Sequence, residues 1–157
     1  MIEYNTQQDS YCFNKDEIDF FINIGIVVTQ RCNLRCIHCC EKVQPDEGNL
    51  SQIKKIIDKL AENNIKKICV TGGEPLLRKD IIDILKYIHS KKIDLTFSTN
   101  GTLVTREFLE KIKPYIQNIR FSIYGSEENH KAVTQKEDGY KIHHFVMGFI
   151  NLITVPI

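Results

Sequence analysis

From residue 23 onward, short apolar runs alternate with amphipathic stretches, and turn residues separate them. Residues 23–29 (NIGIVVT) read as a buried strand. Ser51 is placed to cap a helix in which Ile53, Ile56, Ile57, Leu60 and Ala61 recur at the spacing of one helical face, ending near Asn64. Residues 67–71 (KICVT) form the next strand, stopped by Gly72-Gly73. A second helix starts near Asp80, with Ile81, Ile84, Leu85 and Ile88 on one side. Residues 94–99 (DLTFST) make the third strand and Asn100-Gly101 a turn. Thr105 can cap a third helix that Pro114 ends or kinks. Residues 119–124 (IRFSIY) are the fourth strand; a polar stretch follows, and residues 140–153 read as a last helix.

Four alternations of strand and helix predict an α/β fold of parallel strands joined by crossover helices. In such folds ligands gather at the carboxyl ends of the strands. The unusual residues fall there: a cysteine-rich loop after the first strand, GGEP after the second, TNG after the third, and Ser122 near the end of the fourth.

Composition narrows the function. The chain has 157 residues, and 21 Lys and Arg stand against 20 Asp and Glu, so no net field recruits nucleic acid or an anionic membrane. The longest apolar candidate, residues 145–157, is far short of the roughly 20 residues needed to span a bilayer and contains Asn151, Thr154 and Pro156. Residues 1–20 lack the basic and apolar regions of a signal peptide, which points to the cytoplasm. In that reducing compartment the six cysteines read as ligands, nucleophiles or core residues rather than disulfides.

Cys32, Cys36 and Cys39 are spaced C-x-x-x-C-x-x-C in the sequence CNLRCIHC. Thiolates are soft ligands that suit Zn²⁺ or iron–sulfur clusters. Three of them leave two readings open: a four-iron cluster with one iron free for a substrate, or a zinc loop completed by His38, Cys40 or Cys69. Cys69 alternates along its strand as a core residue does, and Cys12 has no visible partner. His89, His143 and His144 lack metal spacing to the loop, and His130 reads as a core or surface histidine.

CNLRCIHC after a strand, TGGEP at residues 71–75, STNG at 98–101 and FSIYG at 121–125, in that order, resemble the radical S-adenosylmethionine (SAM) superfamily. His130 and Asp138-Gly139-Tyr140 add a likeness to SPASM-type maturases that modify peptides and proteins. The resemblance implies a partial (β/α) barrel. It also implies a [4Fe-4S] cluster on Cys32, Cys36 and Cys39 whose open iron binds SAM, and an external electron donor. Gly72 and Gly73 would let the backbone approach SAM. Glu74 would meet its ammonium group, and Ser98, Thr99, Asn100 and Ser122 its ribose and carboxylate. His38 stands where the family commonly has an aromatic residue near the adenine. Tyr124 replaces a frequent Asp, and Thr134 replaces an Arg that pairs with the SAM carboxylate in some maturases.

The expected organisation is a leader over residues 1–22 and a radical SAM core over 23–157. That core has about four βα units and a C-terminal helix, short of the family's six-unit barrel. Residues 150–157 (INLITVPI) read as a shortened fifth strand or simply the end of the chain. A homo-oligomer or a completing partner chain is the expected assembly. Two alternatives remain to radical chemistry on a peptide or protein: an inactive iron–sulfur or electron-transfer protein, and a zinc-binding structural domain.

Overall fold

The computed structural model describes residues 3–5, 10–12, 24–39, 47–137, 139 and 140. Two short strands, β1 (Glu3–Asn5) and β2 (Ser10–Cys12), pair antiparallel with Tyr4 opposite Tyr11. No element had been expected there. The main sheet contains β3 (Ile24–Val27), β4 (Lys67–Thr71), β5 (Asp94–Thr99) and β6 (Asn118–Phe121), all parallel and in chain order. Between and after them lie α1 (Leu50–Glu62), α2 (Ile81–Ser90), α3 (Arg106–Ile112) and α4 (Glu127–Thr134). The α/β alternation and parallel order are as expected, and form one segment of a partial barrel.

Period-two alternation divides the sheet into two unlike faces. Ile26, Val28, Ile68, Val70, Leu95 and Phe97 point to one side and join Ile53 and Ile57 of α1, Ile81, Ile84, Leu85 and Ile88 of α2, and Leu109 and Ile112 of α3 in a single core. Each such side chain stabilises the fold by about 1.5–3 kcal/mol through burial. The intervening positions are mixed: Thr71, Thr96 and Ser98 are half-buried, Cys69 is buried and Val27 is 50% exposed. With α1, α2 and α3 on the first side, this second face is free to border a ligand.

The register brings the strand ends level. Val27 pairs with Thr71, Val70 with Phe97, and Thr99 with Phe121. Beyond the strands the ladder continues, since Val28 N donates to Thr71 O (2.9 Å) and Ser122 N to Thr99 O (3.2 Å). The loops after β3, β4, β5 and β6 therefore leave from one edge.

Several elements differ from expectation. Asn49, not Ser51, caps α1: its side chain accepts Gln52 N at 3.0 Å while Gln52 Oε1 accepts Asn49 N at 2.8 Å, a reciprocal capping box. Ile56 is 49% exposed, off the buried stripe that holds Ile53 and Ile57. The polar stretch after β6 folds into α4, whose cap Ser126 accepts Asn129 N. The fourth strand ends at Phe121, three residues earlier than expected. Thr105 caps α3 as expected, accepting Phe108 N at 3.1 Å, and Pro114 lies in the single 3-10 turn that follows. The last expected helix, residues 150–157, Cys40, His143 and His144 lie outside the described residues. No helix among the described residues is long and apolar enough to cross a membrane.

Candidate functional site

Gly72 and Gly73 follow β4, where a side chain would collide with the backbone leaving β3. A Cβ on Gly72 would lie 2.3 Å from Thr29 O, and one on Gly73 2.4 Å from Arg31 O. Removing both side chains lets Gly73 N donate to Thr29 O (2.8 Å) and Glu74 N to Arg31 O (2.7 Å). The glycines thus clamp the root of the cysteine loop to the end of β4. Both also line the cavity described below.

Glu74 is fully buried and is not among the residues lining that cavity. Its carboxylate accepts Leu76 N (3.1 Å), Thr99 Oγ1 (2.8 Å) and Asn100 N (2.8 Å). Burial drives its pKa above the ordinary carboxylate value, against the opposing pull of those three donors. Thr99 Oγ1 also accepts Gly101 N at 2.9 Å. The acid therefore ties the loop after β4 to the loop after β5.

The stem of the cysteine loop is held by a charged network. Arg31 makes a forked contact with Glu47 (2.9 and 3.4 Å). Buried Arg78 donates to Val28 O (2.7 Å) and Gly48 O (2.9 Å) and forks onto Asp80 (2.7 and 2.8 Å). One guanidinium thus joins β3, the return of the loop and the start of α2. On its far side the loop docks on α4. Ile37 N donates to Val133 O (2.9 Å) and Arg35 N to Thr134 O (3.3 Å), using carbonyls that a helix end leaves without partners.

These anchors leave a cavity of about 280 Å³. It is lined by Cys32, Cys36 and Cys39, by Gly72 and Gly73, by Ser98, Thr99 and Asn100, and by Ser122 and His38. Of the expected site residues, Glu74 alone does not line it. Cys32 and Cys39 are exposed and Cys36 is half-buried. Burial raises the Cys36 thiol pKa, and the negative charge of Cys32 and Cys39 nearby raises it further. A cationic group among the three sulfurs would relieve that repulsion. Among the described residues no three His, Cys, Asp or Glu side chains converge as a single-ion site. Three soft thiolates on one cavity wall are a donor set of the kind that fits an iron–sulfur cluster, which Cys32, Cys36 and Cys39 would hold.

His38 and Tyr124 form one wall, with Tyr124 Oη 3.1 Å from His38 Nε2 and the rings edge-on at 5.0 Å. Behind them buried His130 accepts Tyr124 N on Nδ1 at 3.3 Å, and burial lowers its pKa. Thr134 is buried, its hydroxyl donating to His130 O at 2.7 Å. Cys69 is buried on β4, and His89 packs edge-on to Tyr115 away from the site.

Residues 26–144 match the Radical SAM superfamily, and the chain belongs to it. It is 42% identical over 107 residues to a GTP 3',8-cyclase of Campylobacter jejuni subsp. doylei, covering 62% of this chain and 33% of that one. It is 38% identical over 90 residues to an Fe-coproporphyrin III synthase of Methanosarcina barkeri, covering 55% of this chain and 23% of that one. The chain thus spans a third or less of these relatives. The fold is also that of Streptococcus suis SuiB bound to its precursor peptide SuiA, with a TM-score of 0.70 at 18% identity over 84% of this chain and 30% of that one.

Sequence reasoning missed Arg78, Asn33 and Thr102, each of which has at least one partner far away in sequence. It treated Tyr124 only as a departure from the family pattern. An Arg two residues before a helix-starting Asp, and an Asn beside a cysteine of the C-x-x-x-C-x-x-C motif, were the available signals.

Proposed function

We propose that this chain is the cofactor-binding core of a radical SAM enzyme in which Cys32, Cys36 and Cys39 hold a [4Fe-4S] cluster and the adjoining cavity receives SAM. The observation that carries this reading is the meeting of the three cysteines with the ends of β4, β5 and β6 around one cavity. When bound, cluster and SAM supply reductive cleavage to methionine and a 5′-deoxyadenosyl radical that abstracts hydrogen from a substrate, the electron coming from an external donor.

The chain's own residues divide the work. Gly72 and Gly73 form a thin wall over the loop root, while Glu74 fixes the backbone of Asn100. Thr99 spends its hydroxyl inside the protein. Ser98 takes no partner among the described residues, so its hydroxyl is the one offered to SAM, while Ser122, just past the end of β6, lines the cavity and shares a hydrogen bond with Tyr124. His38 and Tyr124 provide an aromatic wall for the adenine.

We take the substrate to be a peptide or protein. The FSIYG stretch and the fold shared with SuiB support that reading. The 42% identity to a GTP 3',8-cyclase favours a second, a nucleotide substrate. The outer edges of β3 and β6 carry no strand partner among the described residues, which supports association with a second copy or a completing chain. We place the protein in the cytoplasm, where reducing conditions keep ligand thiols free.

Anaerobic reconstitution with iron and sulfide, then reduction with SAM, tests the proposal. Formation of 5′-deoxyadenosine is expected. A cluster without SAM cleavage would instead indicate an electron-transfer role, and retained zinc without a cluster a structural domain. Cys36→Ala is expected to abolish the cluster, and unchanged iron content in that variant would refute the ligand set.

A further inference from the structure

Asn100 is oriented by a closed ring of hydrogen bonds. Its Nδ2 donates to Asn33 Oδ1 (2.9 Å), Asn33 Nδ2 donates to Thr102 Oγ1 (2.7 Å), and that hydroxyl donates to Asn100 Oδ1 (2.7 Å). Thr102 N adds a second bond to Asn100 Oδ1 at 3.0 Å. Turning the amide over would set its NH₂ against the N–H of Thr102, so the ring fixes which end of Asn100 is the donor. That donor also lies 3.8 Å from Cys32 Sγ. The same sulfur accepts Leu34 N at 3.4 Å. Asn33 follows Cys32 directly, so the ring holds both the sulfur and the backbone that carries it.

We propose that the Asn33–Asn100–Thr102 ring is a positioning device for the ligand Cys32 that also raises the reduction potential of the cluster held there. This rests on the cluster reading above. A one-electron reduction adds negative charge to the cluster and its thiolates. An N–H donor on a ligand sulfur therefore stabilises the reduced state more than the oxidised one. One net hydrogen bond shifts an equilibrium by roughly two- to tenfold. Thr102 is neither a lining residue of the cavity nor a partner of the sulfur, so any effect of its hydroxyl must pass through the ring.

The test is a mediated reductive titration of the full chain, reconstituted anaerobically and without SAM, followed by visible absorbance and electron paramagnetic resonance. Asn100→Ala is expected to lower the reduced-to-oxidised ratio at a fixed potential by roughly two- to tenfold. Thr102→Val is expected to shift it the same way by less, and Thr102→Ser to restore the wild-type value. Loss of the cluster in Thr102→Val with retention in Thr102→Ser also supports the ring. If Asn100→Ala assembles no cluster, the two Thr102 variants decide alone. Wild-type potentials in Asn100→Ala and Thr102→Val, or a Thr102→Ser protein that behaves like Thr102→Val, overturn the proposal. A wild-type chain that takes up no cluster refutes the underlying reading instead.

Discussion

The hydroxyl of Thr99 donates to Glu74 Oε1 at 2.8 Å, joining two strand ends that lie 25 positions apart in sequence. Both groups are buried, and the contact depends on an ionisable side chain held by three hydrogen-bond donors. Glu74→Gln replaces one acceptor oxygen by an NH₂ group that must face a donor. The expected cost is about 1–3 kcal/mol at pH 7, read by urea unfolding.

Glu74 also gives stability a definite dependence on pH. Desolvation places its folded pKa above the ordinary 4.5. The folded chain therefore binds this proton more tightly than the unfolded one. Its stabilising effect is full below about pH 4.5 and is lost as pH rises through the folded value. The difference in unfolding free energy between wild type and Glu74→Gln should follow that slope between pH 4 and 7. A pH-independent difference would contradict it.

Gly73→Ala puts a methyl group 2.4 Å from Arg31 O, a backbone atom that cannot rotate away. The cost expected for such overpacking is about 1–3 kcal/mol, together with reduced iron uptake because the loop root is displaced. Unchanged melting temperature and iron content would show that the clamp is dispensable.

Arg78→Ala strands Asp80 and the carbonyls of Val28 and Gly48, with an expected loss of about 3–5 kcal/mol. Arg78→Lys should recover only part of this, because an ammonium group lacks the planar fork that serves three partners. Arg78 lowers the Asp80 pKa below 3.8. That stabilisation is present at neutral pH and is lost as pH falls through the lowered folded value, so wild type but not Arg78→Ala should show it in acid titration.

Ser98→Ala removes a hydroxyl that has no partner among the described residues. Fold stability should change by less than about 0.5 kcal/mol, while SAM affinity of the reconstituted protein, measured by equilibrium binding, should fall by roughly two- to tenfold. Unchanged affinity would remove Ser98 from the binding set.

Elements whose cause is local were legible in the sequence. Ile81, Ile84, Leu85 and Ile88 announce α2 by spacing alone, and all four are buried. The capping box of α1 was equally local, but Ser51 concealed the better cap two residues earlier. The helix α4 was missed because it has little apolar face to read: only His130 and Thr134 are buried in it. In the site, the cysteines and strand-end motifs could be recognised by residue type. The function of the paired glycines could not, since it depends on Thr29 and Arg31, some forty positions earlier. Glu74 shows the same limit, because nothing in GGEP distinguishes a carboxylate facing a ligand from one consumed by three internal donors.

The docking of the cysteine loop on α4 has a consequence in time. Arg35 and Ile37 leave the ribosome about a hundred residues before Val133 and Thr134, whose carbonyls hold them. At a synthesis rate of roughly 5–20 residues per second, that interval is about 5–20 s. Throughout it the three thiols are exposed on a loop that still lacks its support. The three thiols therefore emerge well before the cavity they line is complete.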